Sequence, residues 1–333
     1  METLIYAFNA VVPLLLLIAL GYFLKKKSKW SDKFFSDLNN FCYRILLPIQ
    51  LFNNVYQIKE FSEINWKVLA YTIAWVPVTV LLGVLLARLI IDDRRQKGAF
   101  VQSCFRSNQA IMGLPLAISL GGNAAAGIAS LATSVGIPLY NIGGIVVLKM
   151  YDSKAEGRGK LREILRSLVT NPLIIGVFCG IVAVAIRYLI PTENGIPVFT
   201  IQNQMPFLYT AVKNLSAVAS PVMLICLGAS LELNFTKNLL AKISAGVAMR
   251  LIVIPVLAIG GAILLRSYLD LTAVEVPMLV AFFASPVAVS SAILVRELGG
   301  DDQYAGQLVV WSSVFSMVTL FAIIAVLRAG AFL

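Results

Sequence analysis

The chain contains no histidine among its 333 residues and only four cysteines. Without histidine there is no histidine general acid or base, no Ser-His triad and no histidine metal ligand. The cysteines stand apart from one another in apolar surroundings, without a Cys-x-x-Cys pair, which is typical of core packing and not of a metal site or disulfide. We therefore expect no catalytic residue, no metal site and no cofactor, and a protein that is not an enzyme.

Charged residues are also scarce, at 13% of the chain, where a soluble domain carries roughly 25%. Hydrophobic residues make up 59%, and apolar stretches of about 20 residues, enough to span a bilayer, recur along the whole length. The composition predicts an all-α polytopic membrane protein surrounded by lipid bilayer. Lysine and arginine outnumber aspartate and glutamate by 27 to 17. They lie in short loops between apolar spans, which indicates membrane topology and not nucleic-acid binding.

Ten segments are predicted to cross the membrane as α-helices, since an isolated strand cannot satisfy its backbone in lipid. They cover approximately residues 4–24, 38–56, 66–90, 98–121, 124–150, 168–190, 209–231, 242–266, 277–297 and 304–328. With the first residue outside, 19 of the 27 lysines and arginines fall in inner loops, six fall in outer loops, and Arg106 and Arg250 lie within spans. This bias predicts a multi-pass bacterial inner-membrane protein with both termini outside. The stretch 151–167 then forms a cytoplasmic connector.

The two halves of the chain resemble each other when one is offset by 178 residues. The matched positions include Pro77 with Pro255, Ser107 with Ser285, Ala110 with Ala288, and Leu120-Gly121-Gly122 with Leu298-Gly299-Gly300. Residues 1–150 and 168–333 each contain five predicted spans, and an odd number of spans gives the two halves opposite orientations. We therefore predict two inverted five-helix repeats, an arrangement that is common in secondary transporters.

The fourth and ninth spans occupy matching places in the two halves and are the least hydrophobic. Proline, glycine and polar residues there predict two broken helices that line a cavity. We expect the helices to cross near Pro115 and Pro286 and to form a substrate site. The candidate substrate-binding residues in these spans are Arg106, Asn108, Gly113, Pro115, Ser285, Pro286, Ser290 and Ser291.

Four polar side chains within predicted spans have two interpretations each. Gln50 in the second span and Asn141 in the fifth are as compatible with packing as with ligand contact. Arg106 has no acidic neighbour in sequence and can bind a carboxylate bidentately, or its long stem can reach the cytoplasmic edge. Arg250 lies at a similar predicted depth, and for it we favour a side chain that reaches the cytoplasmic edge.

The same residues resemble the auxin efflux carrier family, whose bacterial members are often described as malate or malonate permeases. The segment from Asn108 to Leu116 resembles the family's Asn-x4-Gly-x-Pro crossover segment, and the similarity covers nearly the whole chain. Other similar segments are Asn171-Pro172-Leu173, Ser220-Pro221 through Leu231, Arg250 to Pro255, and Pro286 with Gly299-Gly300-Asp301. The chain departs from the family at Ser290 and Ser291, where many members have an amide residue, and it lacks the long central loop of the plant members. Plant auxin specificity is therefore not transferred.

The resemblance implies a ten-span fold in which helices four and nine cross and bind a small organic anion. It also implies a homodimer held by helices one, two, six and seven, with elevator-like movement of the other helices. We therefore predict a secondary transporter that moves a small organic anion, a carboxylate, by alternating access. The alternatives are a membrane sensor that binds a ligand without transport and a carrier of a neutral small solute such as an amino acid. The substrate, the coupling ion and the direction of transport stay open.

Overall fold

The computed structural model describes residues 2–27, 30–58, 64–151, 170–193, 196–231 and 239–333. Within them the chain is almost entirely helical. The α-helices are α1 (Glu2–Lys27), α2 (Asp32–Phe41), α3 (Leu47–Tyr56), α4 (Trp66–Ile90), α5 (Arg94–Phe105), α6 (Leu114–Tyr151), α7 (Pro172–Leu189), α8 (Ile201–Gln204), α9 (Pro206–Ala229), α10 (Leu240–Ala248), α11 (Ile254–Leu264), α12 (Arg266–Leu269), α13 (Val276–Phe283), α14 (Val289–Glu297) and α15 (Asp302–Ala329). Nearly all of the predicted connector 151–167 lies outside the described residues.

Short elements of other kinds link some of these helices. Three π-helical turns, Cys42–Leu46, Gln109–Gly113 and Met249–Val253, run directly into the α-helices that follow them. A two-stranded antiparallel hairpin, β1 (Thr192–Glu193) and β2 (Ile196–Pro197), follows α7. The π-helical turns lie inside the predicted second, fourth and eighth spans, so these spans are not uniform α-helices.

Seven helical segments in the described part of the chain are long and apolar enough to cross a membrane. Their outer faces carry large apolar side chains, among which Leu89, Leu189 and Leu264 are more than 80% exposed. Such an apolar exterior suits a bilayer and not water. The predicted fourth and ninth spans are not among the seven as separate helices, because each is interrupted within its length. The predicted second span is not among them either, although it runs as one helical path through a π-helical turn. The protein is a multi-pass, all-helical membrane protein.

Two pairs of helices approach closely where a glycine faces a backbone carbonyl. A Cβ placed on Gly21 of α1 would lie 1.9 Å from the carbonyl oxygen of Ile225 in α9, and one on Gly228 would lie 1.8 Å from that of Ile18. In the same way, a Cβ on Gly176 of α7 would lie 2.4 Å from the Pro48 carbonyl oxygen in α3. Only glycine allows such contacts, so α1 packs on α9, and α3 packs on α7.

The two interrupted segments meet at their breaks. Helix α5 ends at Phe105 and the helical path resumes at Gln109, while α13 ends at Phe283 and α14 begins at Val289. The connecting backbones pair antiparallel at Ser107 and Val287. The Asn108 N–H donates to the Pro286 carbonyl at 2.8 Å, and the Ala288 N–H donates to the Arg106 carbonyl at 2.9 Å. We call these two breaks, residues 106–108 and 284–288, the crossover.

The crossover corrects the position predicted for the break in the fourth span. The sequence prediction placed it at Pro115, but the chain leaves the helical path at residues 106–108, which contain no proline. Pro115 is the second residue of α6. It lies just after the π-helical turn Gln109–Gly113, and local π geometry is one of the ways in which a membrane helix accommodates a proline. Pro286, by contrast, does lie within the break of the ninth span.

Candidate functional site

A cavity of about 450 Å³ lies beside the crossover. Helix α2 and the turn after it form one wall, the crossover and the first turn of α14 form another, and α6, α7 and α9 complete it. The lining residues are Ser36, Asn39, Asn40, Tyr43, Arg106, Ser107, Asn108, Gln109, Ala110, Ile111, Ile137, Tyr140, Asn141, Leu173, Met223, Ala288, Val289, Ser290 and Ile293. The cavity is large enough for a small organic solute.

Arg106 is the one cationic side chain among these lining residues. It is only 4% exposed, and its Nη2 donates to Asn141 Oδ1 at 3.2 Å and to Ser290 Oγ at 3.1 Å. Its Nε and Nη1 have no hydrogen-bond partner. None of the ion pairs found between described residues includes it. Arg106 is therefore held inside the protein beside the cavity, and two of its nitrogens have no hydrogen-bond partner.

Other buried polar atoms at the crossover also lack partners. They are Ser107 Oγ, Asn108 Nδ2, and both amide atoms of Gln109, on side chains that are at most 4% exposed. Buried polar groups in folded proteins are almost always hydrogen-bonded, and leaving one unpaired costs about 1–3 kcal/mol. A cluster of such atoms around one cavity is what a binding site for a polar ligand requires.

Two helix starts add positive potential to the cavity. The helical segment that begins at Gln109 and the helix α14 that begins at Val289 both present their first residues to it. The first N–H groups of a helix have no intrahelical acceptor, and the helix start carries roughly half a positive charge. No aspartate or glutamate is found among the described lining residues. The arrangement therefore favours an anion.

Arg250 lies behind the crossover and not at the membrane edge, which corrects the interpretation favoured from sequence. It is 1% exposed. Its Nε donates to the Ser285 carbonyl at 2.8 Å, its Nη1 to the Cys104 carbonyl at 3.2 Å, and its Nη2 to the Phe282 carbonyl at 3.1 Å. The depth estimate failed because it ignored direction: the π-helical turn Met249–Val253 carries this side chain toward the protein interior.

The predicted site residues fall into two groups. Arg106, Asn108, Asn141 and Ser290 come together at the cavity. The rest of the predicted set from spans four and nine, Gly113, Pro115, Ser285, Pro286 and Ser291, are buried around the crossover but are not among the lining residues. Gly113 packs on α13, because a Cβ there would lie 2.5 Å from the Ala281 carbonyl oxygen.

Gln50 lies apart from the cavity. Its Nε2 donates to Ser220 Oγ at 2.7 Å, and the Ser220 hydroxyl lies 3.1 Å from its Oε1. Asn53, one turn further on, donates to Ser216 Oγ at 3.3 Å. These polar side chains join α3 to α9, which is a packing role.

The sequence analysis missed several lining residues as ligand candidates. Tyr43 and Tyr140 look like ordinary aromatic residues of apolar spans, and nothing local distinguishes them. The adjacent Asn39 and Asn40 are different, because two amides near the start of a predicted span are a usable signal. Gln109 follows Asn108 directly and belongs to the segment that indicated the family.

Comparison with known proteins finds relatives along nearly the whole chain. The family model described as "Membrane transport protein" matches residues 6–324. An uncharacterized transporter of Methanothermobacter thermautotrophicus is 22% identical over 322 residues, covering 94% of this chain and 95% of its own. A putative malonate transporter of Rhizobium meliloti is 22% identical over 326 residues, covering 96% of each chain. The resemblance to the auxin efflux carriers is thereby confirmed, and the chain belongs to this membrane transport protein family.

Proposed function

We propose that this membrane transporter is a secondary transporter that carries a small organic anion with at least one carboxylate through the crossover cavity. The observation that carries the proposal is Arg106, a buried cation with two unpaired nitrogens at a cavity whose described lining has no acidic residue. A carboxylate can accept strong charge-assisted hydrogen bonds from such a guanidinium. The name of the Rhizobium relative, putative malonate transporter, is consistent with this class of substrate.

Charge counting separates an anion from the alternative solutes. Arg106 contributes one positive charge, and the two helix starts contribute roughly half a charge each. A neutral solute leaves this charge of about two unmatched, which is costly away from water. A zwitterionic amino acid brings an ammonium group for which the described lining offers no carboxylate. A small carboxylate, and best a dicarboxylate, matches the site.

We extend the proposal to ten spans in two inverted five-helix repeats, residues 1–150 and 168–333, joined by the connector 151–167. The close helix contacts support it. Gly21 of α1 faces the carbonyl of Ile225 in α9, and Gly180 of α7 lies near the carbonyl of Phe52 in α3, at 3.1 Å from a Cβ placed on the glycine. The first span thus packs on the seventh, and the sixth packs on the second. A repeat in which the first span is equivalent to the sixth, and the second to the seventh, predicts these two matching contacts.

An elevator-like, alternating-access movement belongs to the same proposal. The first cavity is lined by residues between Ser36 and Tyr43, near the start of the α2–α3 segment. A second cavity, of about 860 Å³, is lined by Tyr56 at the other end of the same segment. Cavities at both ends of one span suit access from two sides of the membrane. A homodimer through the α1, α3, α7 and α9 helices follows from the family resemblance, and light scattering on detergent-purified protein tests it.

The proposed location is the bacterial inner membrane, with both termini outside and the connector in the cytoplasm. The support is the excess of lysine and arginine in alternate loops. Cysteine labelling in intact cells tests it, in a background without the native cysteines. A Lys154→Cys variant, at a position outside the described residues, should resist an impermeant reagent added from outside. Labelling of that variant from outside would contradict the orientation.

A binding screen tests the proposed substrate class. Purified protein is heated in detergent with small mono- and dicarboxylates, amino acids, sugars and inorganic anions, and stabilisation is recorded. A ligand present at 100 times its Kd stabilises by about 2.7 kcal/mol, so specific binding is readily seen. The proposal expects carboxylates to stabilise and neutral solutes to have no effect. Stabilisation by neutral solutes alone would contradict it, and binding without flux into sealed vesicles would indicate the sensor.

A further inference from the structure

Arg250 occupies a position that the anion site does not use directly. It does not line the cavity, yet its three guanidinium nitrogens bond to one carbonyl group in the crossover and to two just before its breaks. The Cys104 carbonyl belongs to the last turn of α5, and the Phe282 carbonyl belongs to the last turn of α13. One guanidinium therefore joins the ends of the two half-helices that stop at the crossover.

These two helix ends pose an electrostatic problem. The last carbonyls of a helix have no intrahelical donor and carry roughly half a negative charge. The ends of α5 and α13 approach each other within the protein, where water does not screen them, so they repel each other and would also repel an anion at the adjacent cavity. A single positive charge between them offsets about two half-charges, and Arg250 supplies it.

Among the described residues, no acidic group balances the charge of Arg250. None of the ion pairs found there includes it, and its hydrogen-bond acceptors are all backbone carbonyls. A buried arginine without an acidic partner is costly. The two helix ends and the Ser285 carbonyl offset this cost, which makes charge, and not merely packing, the property that position 250 contributes.

We infer that Arg250 is a positioning residue for the anion site: its charge neutralises the ends of α5 and α13 and holds the two breaks together, so that Arg106 and the two helix starts keep their geometry and their positive potential. The part of this inference that concerns anion affinity rests on the proposed function. The part that concerns the crossover itself does not.

Amide hydrogen exchange tests the inference without any ligand. The useful reporters are the Asn108 and Ala288 amides, which bond across the crossover. Full-length wild type is compared with Arg250→Gln, Arg250→Lys and the control Arg88→Gln, which removes an exposed arginine from the last turn of α4. Each hydrogen bond to a charged group corresponds to roughly tenfold or more in an equilibrium. Exchange at both reporters should therefore rise about tenfold or more in Arg250→Gln and stay near wild type in Arg88→Gln.

The lysine variant separates charge from shape. Lysine keeps the charge but not the planar fork of donors, so it should restore most of the protection that glutamine loses. The inference is overturned if Arg250→Gln exchanges like Arg88→Gln. It is equally overturned if Arg250→Lys is as deprotected, or as poorly folded, as Arg250→Gln, because charge is then not what the position provides.

Calorimetric titration with malonate tests the part of the inference that concerns anion affinity. Malonate affinity should fall about tenfold or more in Arg250→Gln and recover to within a few-fold of wild type in Arg250→Lys, in proportion to the exchange data. Unchanged malonate affinity in a deprotected Arg250→Gln would overturn the electrostatic role. Should wild type bind no small carboxylate at all, the proposed function fails, and the exchange measurement still decides on Arg250.

Discussion

Replacing Arg106 with glutamine should leave the stability of the empty protein nearly unchanged while it weakens anion binding. In the empty site the guanidinium makes only two hydrogen bonds, to Asn141 and Ser290, and two of its nitrogens are unpaired. An arginine within a membrane span costs at least about 2.5 kcal/mol. Losing two hydrogen bonds to a charged group costs about 3–6 kcal/mol, of which the amide of glutamine can recover part. The two contributions oppose each other and nearly cancel, so Tm should change by no more than about 2 °C.

The effect on ligand binding is larger. A carboxylate that accepts charge-assisted hydrogen bonds from the guanidinium of Arg106 loses them in Arg106→Gln. Truncating one partner of a buried charge pair costs about 2–5 kcal/mol. Malonate affinity should therefore fall by roughly 30-fold to several thousand-fold. A site residue with an unmet charge is expected to combine a stability cost with a functional benefit.

Two measurements on the same samples test this combination: Tm without ligand, and malonate affinity by calorimetry. Arg250→Gln is the matched comparison, because its three carbonyl bonds are satisfied in the empty protein. That variant should lose stability by about 3–5 kcal/mol. The reasoning is refuted if Arg106→Gln is destabilised as much as Arg250→Gln, or if it binds malonate as well as wild type does.

Three further predictions concern the site and its surroundings. Gly144→Ala should weaken malonate binding without removing charge, because the new Cβ would lie 2.8 Å from Arg106 Nη1; Gly143→Ala, whose Cβ would lie 3.3 Å from the Phe105 ring, should bind within a few-fold of wild type. Gln50→Met should destabilise by about 1–3 kcal/mol in a thermal melt, and adding Ser220→Ala should recover most of the loss, since no buried group is then unpaired; an additive double variant would contradict this. Malonate binding between pH 6 and 8 should follow only the ionisation of malonate, since the chain has no histidine and the described lining has no carboxylate; an additional titration step in calorimetry would contradict it.

The crossover could be anticipated from the sequence, but its exact position could not. Polar residues within apolar spans are costly in lipid, so two such segments at matching places reliably indicate an interior site. Proline was the guide to the breaks, and it succeeded at Pro286 and failed at Pro115. The failure has a physical reason, since Pro115 closely follows the π-helical turn Gln109–Gly113, and local π geometry lets a membrane helix contain a proline without a break. The break itself lies where the backbones of Ser107 and Val287 pair.

The roles of individual polar residues were harder to predict, because they depend on direction and on distant partners. Gln50 and Asn141 were equivalent in sequence, yet Gln50 bonds to Ser220 in α9 and Asn141 accepts from Arg106 at the cavity. Arg106 and Arg250 lie at similar depth, and both turn inward. Arg250 could have been recognised only by knowing that α5 and α13 end side by side, and that its side chain bonds to the carbonyl of Cys104, 146 residues earlier in the chain.

Uptake of labelled malonate by proteoliposomes tests most directly the claim that the crossover cavity carries a small organic anion. Wild-type vesicles should show saturable uptake that unlabelled malonate inside the vesicles accelerates, and Arg88→Gln vesicles should behave in the same way. Arg106→Gln vesicles, with equal protein reconstituted, should show little uptake above empty vesicles. The claim is contradicted if wild-type vesicles take up no more malonate than empty vesicles do, and the same holds for every carboxylate that stabilises the protein. It is also contradicted if Arg106→Gln transports malonate as fast as wild type.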